Sequence, residues 1–95
     1  MSRIAVENVN HPGSKRQVDA VPYEAMRRAY LAVLSSAPNG LTIEEIRARL
    51  GTHLPQEIFP GGAKAGWWAK TVQLDLEAKG IIRRQKTRPI RLVKA

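Results

Sequence analysis

The chain of 95 residues has room for one modest core and hardly for a second domain, and an apolar content of 43% argues against wholesale disorder. It has no cysteine, which excludes disulfides, thiolate nucleophiles and cysteine zinc sites and fits a reducing cytoplasm. Sixteen basic residues against eight acidic give +8, with six cations and no acid in residues 81–95, so a polyanion such as nucleic acid is the natural partner and a solvated basic tail the competing reading.

Residues 1–21 read as an arm preceding a domain of residues 22–95. Ile4, Val6 and Val9 make a weak strand pattern that stops at the turn signal His11-Pro12-Gly13. The arm cannot form a core alone, so it is either a flexible leader or packs on the domain. Glu7 and two asparagines interrupt its first ten residues, which therefore do not read as a signal peptide. No apolar run approaches the roughly 18 residues needed to span a bilayer, so no membrane association is expected.

A first helix should begin near Pro22, where a missing N–H costs nothing. Met26, Tyr30, Val33, Leu34 and Ala37 follow steps of three and four and make one apolar face. Pro38-Asn39-Gly40 ends it. Leu41 can form a very short strand. Thr42 and Glu45 then have the spacing of a capping box for a second helix, with Ile43, Ile46 and Leu50 inward and Gly51 as its stop. Residues 51–63 are an unusually long connection in which Leu54, Ile58 and Phe59 should plug the core. A third helix runs from Lys64 or Ala65 to Lys79, closed by Gly80. Ile81 and Ile82 open a strand, Lys86 to Pro89 turn, and a second strand places Ile90 and Leu92 on one side and Arg91 and Val93 on the other.

At 100° per residue, Ala65, Ala69, Val72 and Leu76 of the third helix share a core sector. Lys70, Gln73 and Glu77 form a polar sector, and Trp67, Leu74 and Ala78 lie nearly opposite the core. A tryptophan and a leucine in water waste apolar area, so this stripe should be covered by the arm, a second copy or a protein partner, or else Trp67 inserts into a nucleic-acid site. Gly61 and Gly62 before the helix read as a tight turn, with an anion site at Lys64 as the alternative.

The order of three helices, then Leu76, Gly80, Ile81-Ile82 and a basic hairpin, resembles the winged helix-turn-helix superfamily over residues 22–95. The resemblance implies a mainly α fold with a small β-hairpin, three helices plus a two- or three-stranded wing. A tighter likeness, in Asn10 to Gly13 and Phe59 to Trp68, is to a group of small bacterial proteins to which it attaches no activity. The superfamily implies a recognition helix in the major groove and a wing on the phosphates of double-stranded DNA. The residues carried over are Lys64, Lys70, Thr71 and Gln73, with Arg83, Arg84, Lys86, Arg88 and Arg91 from the wing. The connection of about 13 residues departs from the usual short turn between the second and third helices.

A probable DNA-binding, transcription-regulator-like module is therefore the first expectation. A protein-interaction or homodimerisation module using Trp67, Leu74 and Ala78 is the second. Glu44, Glu45, Asp75 and Glu77 read as solvated helix charges, and no nucleophile stands beside a base, so catalysis is not expected. His11 and His53 are far apart without acidic neighbours, so no metal site is expected, nor any cofactor or small-molecule substrate.

Overall fold

The computed structural model describes residues 2–95. Its elements in chain order are β1 (Arg3–Glu7), β2 (Lys15–Asp19), α1 (Ala20–Ser35), β3 (Leu41–Thr42), α2 (Ile43–Leu50), α3 (Ala65–Ala78), β4 (Ile82–Gln85) and β5 (Arg91–Lys94). Three helices are thus combined with two small antiparallel sheets, one of order β1-β2 and one of order β3-β5-β4.

Of the two forms expected for the arm, the structure has the one packed on the domain. It is a regular hairpin, Ile4 opposite Val18 and Val6 opposite Arg16, docked on α1 and α3. Alternation puts Ile4, Val6, Arg16 and Val18 on one face, and Val6 and Val18 are buried in the common core. Val9 falls past the end of β1 and stays exposed. Because β2 runs straight into α1, that helix starts two residues ahead of Pro22. Asp19 caps it, its carboxylate accepting from the Val21 N–H at 3.1 Å.

The helical spacing places Met26, Tyr30, Val33 and Leu34 of α1 in the core as expected, joined by Tyr23. The capping box of α2 is present: the Glu45 N–H donates to the Thr42 hydroxyl at 3.1 Å and the Thr42 N–H to the Glu45 carboxylate at 2.9 Å. The long connection is built from two 3-10 turns, Gly51–His53 and Pro60–Gly62, around a single turn closed by the Phe59 N–H on the Pro55 carbonyl. Phe59 is buried and Leu54 and Ile58 are packed beside it, which ties this otherwise polar segment to the core. Leu41 pairs with Leu92, so β5 lies between β3 and β4 and the hairpin becomes part of a three-stranded sheet.

Three polar residues of α3 differ from their expected solvated placement. Asp75 is 0% and Gln73 6% exposed, and the Glu77 side chain is 3% exposed. Asp75 is inward because its carboxylate accepts from three donors at once: the Tyr23 hydroxyl of α1, the Glu7 N–H of β1 at 2.8 Å, and, at the end of its own helix, the Lys79 ammonium at 2.9 Å. Gln73 accepts from the Tyr30 hydroxyl at 3.3 Å and donates to Glu77 at 3.1 Å. A buried polar group that keeps its partners costs little, and these keep theirs.

Burial pushes both phenols well above the usual tyrosine range. For Tyr23 the hydrogen bond to Asp75 and that carboxylate's charge add to it, and for Tyr30 the charge of Glu77 does. Above the ordinary tyrosine pKa of about 10 the unfolded chain sheds protons that the native chain retains, so stability falls with rising pH. Below that pH the contribution is complete. These are the two tyrosines of the chain, so native protein should show no tyrosinate absorbance until alkaline unfolding releases both together. A smooth titration near pH 10 with the fold intact would contradict this burial.

Candidate nucleic-acid interface

The cations of the C-terminal hairpin fall into two groups. Cross-strand pairing puts Ile82, Arg84, Leu92 and Lys94 on the face turned to the helices, and Arg83, Gln85, Arg91 and Val93 on the other. On the inner face the Arg84 guanidinium clasps Glu77 of α3 through Nε and Nη2, and Lys94 donates to the Ser35 hydroxyl at 3.1 Å. On the outer face Arg91 donates to the Gly40 carbonyl at 3.3 Å and lies 3.7 Å from Glu45. The hydrogen bonds from Thr42, with Arg91 beside them, hold the Glu45 carboxyl below its usual range, so it is charged near neutrality.

The second group has no carboxylate partner among the described residues. It consists of Arg83 on the outer face of β4, and Lys86 and Arg88 in the turn, all exposed. The tip that carries them is shaped locally, the Thr87 hydroxyl donating to the Pro89 carbonyl at 2.8 Å. Expectation treated the wing cations as equivalent. Tertiary pairing separates them, because Arg84 and Arg91 already neutralise Glu77 and Glu45.

On α3 the residues expected to face a ligand are also divided. Lys64 and Lys70 are exposed and Thr71 is half-buried. Lys64 sits at φ 61 directly before the helix, without a side-chain cap. Gln73 is withdrawn into the core by Tyr30, which corrects its expected place on the surface. Trp67 is 48% exposed, while Leu74 and Ala78 are half-buried.

What adjoins this stripe is the N-terminal hairpin. Val6, Glu7, Asn8 and Arg16 with Trp67, Lys70 and Leu74 are among the residues that enclose an open cleft of ≈ 360 Å³. The Arg16 guanidinium lies 5.8 Å from the centre of the Trp67 ring, and Trp68 meets that ring edge-on at 4.9 Å. A smaller hollow beside Ala78 is lined by residues of the hairpin turn, among them Asn8, Val9 and Pro12. This ridge of α3 therefore runs between two hairpins: the one bearing Arg16 along its side, and the C-terminal one clasped to Glu77 at its end. Arg16 and Asn8 were missed as cleft residues, although Arg16 two positions before Val18 carried the alternation that places it.

Among the described residues no group of three or more histidine, cysteine, aspartate or glutamate side chains could hold a metal ion. His11 and His53 are both exposed. No helix of the described residues is long and apolar enough to cross a membrane.

A protein-family model described as a family of unknown function matches residues 3–92, from the start of β1 into β5. No curated protein and no solved structure matches the chain.

Proposed function

The chain belongs to the DUF6958 family of unknown function, and from its geometry we propose that it is a non-catalytic, double-stranded DNA-binding module built as a winged helix. The observation that carries the reading is the exposed, carboxylate-free trio Arg83, Lys86 and Arg88, held on a hairpin that an ion pair fastens to α3. Support also comes from the element order, three helices followed by a hairpin that is part of a three-stranded sheet, which is as much as the winged-helix resemblance implies.

The chemistry favours contacts to phosphate over readout of bases. Cations on a projecting hairpin release counterions from the duplex whatever its sequence. Base reading needs side chains such as Arg, Asn or Gln reaching from the helix into the groove. Gln73 is occupied by Tyr30 and Glu77, and the hairpin β1-β2 stands beside the rest of the ridge. The module is therefore expected to bind duplex DNA with little sequence preference.

The test is a salt titration of binding to a random duplex. Each phosphate contact adds about 0.9 to the slope of log affinity against log salt. The Arg83→Gln, Lys86→Gln, Arg88→Gln triple variant should lower that slope by about 2 to 3 and weaken binding accordingly. An unchanged slope, or no binding of micromolar duplex at about 50 mM salt, would overturn the proposal.

A second reading, a protein-interaction or homodimerisation module, draws on the exposure of Trp67. It ranks below the first because the hairpin already half-covers Leu74 and Ala78. One tryptophan falls well short of the roughly 800 Å² per partner that a stable interface buries.

A further inference from the structure

Phosphate contact by the wing leaves the cleft between the N-terminal hairpin and α3 without a role. Its lining is neither a plain apolar groove nor a solvated surface. Trp67 and Leu74 give it an apolar side, Arg16 and Lys70 supply two cations against the single carboxylate of Glu7, and Asn8 and Thr71 offer hydrogen bonds. At ≈ 360 Å³ it has the capacity of a small organic ligand and none for a duplex.

Two features narrow the ligand. Trp67 keeps 48% of its surface exposed although a hairpin passes beside it, so the ring is presented rather than packed away. The planar group now lying over it is the guanidinium of Arg16 at 5.8 Å. A nucleobase is flat and polarisable and stacks on the same surface, and an arginine displaced from the ring remains within reach of an attached phosphate.

We propose that this cleft holds one unpaired nucleotide, its base against Trp67 and its phosphate between Arg16 and Lys70. The proposal rests on the nucleic-acid reading and extends it, from duplex in general to duplex that carries a single-stranded overhang. The wing grips the paired part through its phosphates, and the cleft receives the first unpaired residue.

The experiment compares the full chain on a blunt duplex, on the same duplex with a short thymidine overhang, and on the thymidine strand alone. Stacking on one aromatic side chain should make the overhang substrate bind about fivefold tighter or better. Trp67→Ala and, separately, Arg16→Gln should abolish that preference and leave blunt-duplex affinity unchanged. Arg16 is exposed and Trp67 lies outside the buried core, so both variants should fold, with Trp67→Ala melting somewhat below the parent because it loses the edge contact with Trp68. The wing triple variant should weaken both duplexes by the same factor.

Equal affinity for the two duplexes would overturn the cleft proposal and leave the wing reading standing. Binding of the thymidine strand that depends on Trp67, with no binding of blunt duplex, would support the cleft and refute the wing. A preference that survives Trp67→Ala would place the unpaired base elsewhere and overturn it. So would a doubled solution mass of the free chain that Trp67→Ala returns to monomer, since a second copy would then occupy this face. Failure to bind any of the three nucleic acids would end both readings together.

Discussion

Replacing Asp75 with alanine should destabilise the fold by about 3–5 kcal/mol, the largest effect of any single substitution anticipated for this chain. The carboxylate is fully buried and receives the Tyr23 hydroxyl, the Glu7 N–H and the Lys79 ammonium. Its removal strands a buried hydroxyl and a partly buried amide, each costing about 1–3 kcal/mol when left without a partner. Lys79 contributes less, because its side chain is 31% exposed and water can replace the carboxylate. Domains of this size are stable by about 5–15 kcal/mol, so thermal unfolding should move down by ~15 °C or more. Asp75→Asn keeps the shape but presents an amide to one of the donors, and should fall between the parent and Asp75→Ala. Tyr23→Phe, which takes a donor from a buried carboxylate, should cost about 1.5–3 kcal/mol and Lys79→Ala about 1 kcal/mol or less. Denaturant titrations of the four variants check the order. A loss under about 1 kcal/mol for Asp75→Ala would mean that the three donors find other partners.

Gly40→Ala should cost about 2–4 kcal/mol, by a different mechanism. Gly40 joins α1 to β3 at φ +87, where a side chain is strained by about 1–2 kcal/mol. A Cβ there would also stand 2.8 Å from Cγ1 of Val93 and 3.1 Å from the Leu92 carbonyl. Both neighbours belong to β5, the central strand of its sheet, so neither gives way without disturbing the hairpin. Gly13 is the internal control. It has the same φ of +87, with nothing within 4 Å of its would-be Cβ. Gly13→Ala should therefore show the backbone strain alone, and the difference between the two midpoints measures the packing. Equal losses would show that β5 relaxes around the added methyl.

The sequence was informative where structure is set by neighbours in the chain. Thr42 and Glu45 are three residues apart, so the capping box could be read directly. The face of α1 follows from a repeat, and the closing glycine after α3 from local geometry. Asp75 is the opposite case. The two partners that draw it inward lie 52 and 68 residues away, and Lys79 four residues on is what a solvated helix charge would also have. The same holds for Gln73, which meets Tyr30 only because α1 crosses α3. The N-terminal hairpin lay between these extremes. Ile4, Val6 and Val18 alternate correctly, but polar residues and a long turn weaken the pattern, and only docking on α3 gives it a core to face. For the candidate site the charge of residues 81–95 was visible at once. Which of those cations stay unpaired depends on Glu77 and Glu45, whose reach toward the hairpin is a tertiary fact.

The order β3-β5-β4 has one further consequence. Two strands end that sheet with unpaired peptide groups, and such borders invite neighbouring chains to add themselves as extra strands. On one side β3 is only two residues long and offers little to pair with. On the other, Arg83 lies along β4 and Lys86 follows it, both without a carboxylate partner among the described residues, so two molecules approaching border to border would bring like charges together. The side chains proposed to meet a polyanion thus also set like charges against edge-to-edge pairing, and stripping them to silence binding should make the chain more prone to aggregate.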